Sequence, residues 1–133
     1  MHLQISAADE LPIYRQIMRQ VVDAIAGGRL VPLERLPSHR ELSEQLVIAP
    51  LTVKKAYDEL VKLGYIQQEH GRGTFVAARL PRVARSERDS QLRDAANTLL
   101  RQAYLAGLDF DAVVALLEQA DRRLTHHPRR DTA

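Results

Sequence analysis

Cysteine is absent from this 133-residue chain, and so is tryptophan. The first absence excludes disulfide scaffolds, thiolate metal sites and cysteine nucleophiles, and it fits a protein that works in a reducing compartment, the cytoplasm. Aromatic residues are only 5% of the sequence, so a core has to be assembled mainly from leucine, isoleucine, valine and alanine. Charge of one sign is scarce as well. The 19 lysines and arginines stand against 17 aspartates and glutamates, for a formal net charge of +2, and the signs stay balanced on both sides of Val76. A polybasic tail that binds any polyanion is thereby excluded, and a basic surface has to be local. No apolar run approaches the roughly 18 residues of a membrane span, and Met1–Ser6 lacks the basic start and apolar stretch of an export signal. The expectation is a soluble chain with no membrane partner. With 45% hydrophobic and 27% charged residues at this length, a packed domain is within reach.

Apolar periodicity supplies the elements. Ile13, Ile17, Val21 and Ile25 recur at helical spacing, which predicts a first helix over Pro12–Ala26 that stops at Gly27-Gly28. Pro32 and Pro37 bracket an extended connection, and Ser38-His39-Arg40-Glu41 reads as a capping box opening a second helix that runs to about Leu46. Val47-Ile48-Ala49-Pro50 interrupts the pattern, because proline disfavours helix before it and suits the first turn after it. A third helix over about Leu51–Leu63 buries Val53, Ala56, Tyr57, Leu60 and Leu63, leaving Thr52, Lys54, Lys55, Asp58 and Lys62 outward, and Gly64 ends it. Two short strands, 65–69 and 74–77, flank His70-Gly71-Arg72-Gly73 as a hairpin, with Tyr57, Tyr65 and Phe75 in the core. Residues 77–86 read as a linker. Beyond it two helices are expected, 87–106 and, capped by Asp109, 110–124; a polar tail, 125–133, follows.

Three helices, the last two separated by a short turn, followed by a glycine-tipped hairpin, give the order of a winged helix-turn-helix, mainly α with a small β wing. The residues sharpen it. Leu36-Pro37-Ser38 with Arg40, then Thr52-Val53 with Ala56-Tyr57 and Leu60, then Gly64-Tyr65-Ile66, then Gly71-Arg72-Gly73-Thr74-Phe75-Val76, resemble the GntR family of bacterial transcription regulators over about residues 11–76. The short extension after the hairpin, and Pro12-Ile13-Tyr14 at the first helix, look like its YtrA-like subfamily. Four positions depart from the family pattern: Leu33 and Val47 stand where glycine is common, and Ala49 and Leu51 where polar residues are.

The resemblance implies a sequence-specific, DNA-binding transcription regulator, a repressor on double-stranded operator DNA, with the third helix in the major groove. Lys54 and Lys55 are the cations near that helix's start. Family precedent at matching positions gives Arg40 a base or phosphate contact and Thr52 a phosphate contact. Ser38 with the free amides of the second helix could hold another phosphate, as could Arg35. Arg72, between Gly71 and Gly73, is placed to reach a minor groove. Two amphipathic helices of the extension's length cannot enclose their own apolar stripes, so Leu92, Leu99, Leu100, Val113 and Leu117 are expected at a homodimer interface, and the operator as an approximate palindrome.

Catalysis finds no support. There is no GxSxG elbow or phosphate-cradling loop, and the adjacent His126 and His127 lack the i,i+4 spacing of a helical metal site, so neither metal nor cofactor is expected. Two other readings stay open. One is a winged-helix module for protein assembly. The other is a ligand-responsive sensor, its effector unidentified, with a pocket among Leu92, Leu99, Tyr104, Val113 and Leu117.

Overall fold

The computed structural model describes residues 1–82 and 84–125. Among them are five helices, α1 (Ile13–Ala26), α2 (His39–Leu46), α3 (Pro50–Leu63), α4 (Arg85–Leu105) and α5 (Phe110–Thr125). Three strands accompany them: β1 (Arg35–Leu36), β2 (Ile66–Glu69) and β3 (Gly73–Val76). The chain divides into two compact units between Pro81 and Arg82.

In the first unit, α1, α2 and α3 close around Ile17, Val21, Leu42, Val53, Ala56, Tyr57 and Leu60, all fully buried. The stripes are those the periodicity selects, because residues three and four apart share one helix face, except that Leu63, expected in the stripe of α3, is exposed at the last helical position beyond the core. Pro12 is the N-cap of α1, one position earlier than its expected place in the first turn. Ser38 caps α2 by accepting a hydrogen bond from the Glu41 amide at 3.1 Å. Pro50 opens α3, where the missing N–H of proline is harmless.

The sheet has one strand more than the expected hairpin. It runs antiparallel in the order β1-β3-β2, with Arg35 and Gln67 both opposite Phe75. This register corrects the expectation for Phe75. Thr74 and Val76 turn to the core, so Phe75 lies on the other face of β3 and is only half-buried. A two-residue strand carries no periodicity; β1 follows a tight turn in which the Glu34 amide donates to the Val31 carbonyl at 3.0 Å, and the Leu33 amide donates across to the Val76 carbonyl of β3 at 3.0 Å. Leu33 takes φ 66 and Val47 takes φ 55, left-handed values that side chains other than glycine's adopt at a cost. These are the two positions where the family pattern has glycine.

An N-terminal arm completes this unit. Met1, Leu3 and Ile5 pack on the core in alternation with exposed residues. Two amides one turn apart on α1 hold its backbone as a neighbouring strand would. Gln20 accepts from the Gln4 amide at 2.9 Å and donates to its carbonyl at 2.7 Å. Gln16 accepts from the Ser6 amide at 2.9 Å and donates to its carbonyl at 2.8 Å. Gln16 is thereby buried with its polar atoms satisfied.

The second unit is a helical hairpin. Ala103 and Val113 are buried, and Asp109 caps α5 by accepting from the Ala112 amide at 2.9 Å. The expected linker is shorter than its composition indicates. Ala77 is buried and donates to the Tyr65 carbonyl at 2.9 Å, continuing the hairpin, while α4 already begins at Arg85. Thr125 belongs to α5, its hydroxyl donating to the Asp121 carbonyl at 2.7 Å; the rest of the expected tail, with His126 and His127, lies outside the described residues.

Candidate nucleic-acid interface

Three stations carry the residues expected at DNA. At the start of α2, Ser38 is the N-cap and Arg40 stands in the first turn. The Ser38 hydroxyl is already engaged in capping, which leaves Arg40 as the exposed cation of that turn. The station is fixed to α3 through Tyr57, whose hydroxyl donates to the Pro37 carbonyl at 2.7 Å. Burial, and secondarily the Glu41 charge, pushes the Tyr57 phenol well above its ordinary range, so it stays a donor. Ser43, also buried, donates to the Arg40 carbonyl at 2.7 Å and tightens the same turn.

The second station is the outer face of α3. Val47, 88% exposed in the turn, and Leu51, 78% exposed in the first helical turn, present apolar surface where the family pattern has glycine and a polar residue. Thr52 is half-buried beside them. The two lysines diverge. Lys54 is exposed and pairs with Asp58 one turn on, Nζ to Oδ2 at 2.7 Å. Lys55 lies back over the ring of Tyr14 on α1, its Nζ 4.2 Å from the ring centre. Tyr14 in turn accepts from Arg15 Nε at 3.3 Å, and that bond, with the Arg15 and Lys55 charges, lowers the phenol's pKa against the opposing effect of burial. Sequence spacing alone made the two lysines equivalent; a helix on the opposite side of α3 distinguishes them.

The third station is the wing. Gly71 and Gly73 adopt φ 76 and φ 125, conformations closed to ordinary side chains, and the Arg72 amide donates to the Glu69 carbonyl at 2.9 Å to close the turn. Arg72 projects with its side chain 80% exposed, its guanidinium 3.9 Å from the Glu69 carboxylate. Arg35 reaches the same place from β1. Its Nε lies 3.3 Å from where a Cβ on Gly73 would stand, so the glycine also makes room for a second guanidinium. Arg35, His70 and Arg72 thus line one open groove.

The residues expected at the subunit interface lie in the second unit and differ among themselves. Leu92 and Leu117 are exposed, at 63% and 52%, and Leu99 and Leu100 are half-buried. Val113 is 2% exposed and is buried within its own chain. Other apolar surface was not anticipated: Leu105, Leu108 and Phe110 surround the α4–α5 turn and are exposed. Tyr14, Asp58 and Glu69 were likewise missed as neighbours of the reading cations. The i,i+4 spacing of Lys54 and Asp58 was a legible signal; the pairing of Tyr14 with Lys55 was not. Among the described residues no helix is long and apolar enough to cross a membrane.

Comparisons with known proteins agree with this architecture. The family model described as "Bacterial regulatory proteins, gntR family" matches residues 13–76. The HTH-type transcriptional repressor YtrA of Bacillus subtilis is 31% identical over 109 residues, which are 82% of this chain and 84% of the relative. Among solved structures, YtrA from Sulfolobus acidocaldarius, a GntR-family transcription factor, superposes with a TM-score of 0.53 at 30% identity, covering 93% of this chain and 100% of that one. The DNA-binding domain of AraR, solved in complex with operator ORX1, has a TM-score of 0.52 at 30% identity over 58% of this chain and 99% of its own. A shared family model, a relative matched along most of its length and a common winged-helix scaffold carrying exposed cations on helix and wing converge on one assignment: the chain belongs to the gntR family of bacterial regulatory proteins and is a DNA-binding transcription regulator.

Proposed function

We propose that the protein is a cytoplasmic, homodimeric repressor that grips an approximately palindromic operator and performs no catalysis. In each subunit α3 lies in the major groove. Leu51 and Lys54 meet base edges there and Thr52 lies towards the backbone, while Lys55, held over Tyr14, contributes its charge from the flank of the helix. The α2 turn holds a phosphate through its free amides, with Arg40 beside it and Ser38 fixing the cap. Arg72 and Arg35, given room by Gly71 and Gly73, follow the adjacent minor groove or its phosphates. The observation that carries this reading is the Gly73 clearance, which lets two guanidinium groups share the tip of an otherwise charge-balanced molecule.

Dimerisation through α4 and α5 is supported by their exposed leucines, and a twofold axis would set the two α3 helices at major grooves about 34 Å apart. Repression follows from promoter occupancy, and it is supported by the Bacillus subtilis relative, which is named a transcriptional repressor. The test is selection of bound fragments from genomic DNA, followed by a salt titration on the enriched duplex. The expected result is a twofold-symmetric site whose affinity falls steeply with salt, as cations on phosphates are displaced. No enrichment, or a salt-insensitive interaction with a protein, would establish the assembly-module reading instead.

A further inference from the structure

We propose that Lys54 and Asp58 act as one unit that reads a guanine–cytosine pair, which makes Asp58 a specificity-determining residue. The inference rests on α3 being the helix that lies in the major groove. The two side chains leave the same outward face of α3 and meet at 2.7 Å with half or nearly half of each exposed, 51% for Lys54 and 42% for Asp58. An ammonium beside a carboxylate presents a donor and an acceptor side by side at fixed spacing. The major-groove edge of a guanine–cytosine pair presents the complement: guanine O6 and N7 accept, and the cytosine N4 amino group next to O6 donates. Lys54 can therefore bridge the two guanine acceptors while Asp58 accepts from cytosine, and the pair need not separate to do so.

A duplex backbone offers only acceptors. On phosphate alone the Lys54 charge is already answered by Asp58, and the carboxylate is repelled, so this turn of α3 adds little to non-specific binding. The free protein also holds the pair in register through its i,i+4 spacing, so ordering on binding costs little. An adenine–thymine pair has a donor next to an acceptor too, but it gives the lysine one acceptor on each base and sets a methyl group beside them. Leu51, one turn earlier on the exposed face, suits such a methyl on a neighbouring step.

The experiment is selection of binding sites from randomised duplexes by the full chain, by Asp58→Asn, by Asp58→Glu and by Lys54→Ala, with affinities measured on the enriched site and on an unrelated duplex. The parent is expected to require a guanine–cytosine pair at one position in each half-site. Asp58→Asn, whose neutral amide accepts more weakly from cytosine and no longer holds the Lys54 ammonium in place, should relax that requirement at that position alone, bind the original site about 5- to 150-fold more weakly, the usual range for one base contact, and bind the unrelated duplex more tightly. Asp58→Glu should keep the preference in weakened form. An unchanged base preference in Asp58→Asn overturns the proposal, as does a uniform gain or a uniform loss over all sequences. Lys54→Ala separates the two levels of the argument. If it alters base preference while Asp58→Asn does not, α3 reads the groove without Asp58; if neither alters it, the placement of α3 itself is wrong.

Discussion

The unit up to Pro81 and the unit from Arg82 onward contain nearly the same number of helical residues and differ in how they bury them. In the first, three helices, a small sheet and an N-terminal arm enclose a continuous core, while Val31, Leu33, Val47, Leu51 and Leu63 stay exposed around it. In the second, Ala103 and Val113 are buried while Leu92, Leu105, Phe110 and Leu117 remain exposed, and the first fourteen residues of α4, Arg85–Thr98, are exposed throughout. Two helices offer each other one face. A third layer or a second copy is needed to cover the rest. The proposed function accordingly gives the first unit a surface to present and the second one to acquire.

That contrast can be broken most directly by cutting the chain. A protein ending at Pro81 should fold cooperatively and sediment as a monomer. Its operator affinity should fall by about 10²- to 10⁴-fold, because the second half-site is no longer held at high effective concentration. A truncated chain that still dimerises would refute the division of labour. Point substitutions sharpen the same contrast. Leu60→Ala, which empties a fully buried site, should cost about 2–5 kcal/mol in the thermal or urea unfolding of the first unit. Leu117→Ala should leave that transition in place and weaken self-association, read by sedimentation at falling concentration.

Smaller effects probe the closed unit alone. Val47→Gly should raise stability by about 1 kcal/mol, since the left-handed backbone there strains a β-branched side chain and the residue is almost fully exposed. Urea midpoints of parent and variant would measure it, and an unchanged or lower midpoint would contradict the strain. The smallest expected effect is alkaline. Tyr57 is held neutral in the folded state, so its contribution is complete below the unfolded phenol value near 10 and declines as pH rises above it. Stability measured between pH 9 and about 11 should fall less steeply in Tyr57→Phe than in the parent.

Much of the architecture was legible in the sequence because it rests on short-range rules. Periodicity placed the helices to within one or two residues, Ser38 and Asp109 announced caps that the structure forms, and Gly71-Arg72-Gly73 marked the wing. The arm at Met1, Leu3 and Ile5 is not legible, because three alternating residues are too short a signal and its backbone partners are glutamine side chains sixteen and ten positions away. The face of Phe75 is not legible either, because alternation in a four-residue strand leaves the choice of buried face to the register, which β1 and β2 set together.

By itself the sequence determined which segments are helical, where they stop and which cations stand on helix and wing, since backbone propensity, capping and the spacing of apolar residues act within a few positions. The Lys54–Asp58 pair follows from i,i+4 spacing on one helix, but only the tertiary structure decided what two other cations meet. Lys55 is turned onto Tyr14 of α1, and Arg35 is carried by a short strand to the wing tip. Side-chain direction depends on neighbours brought from other elements by packing.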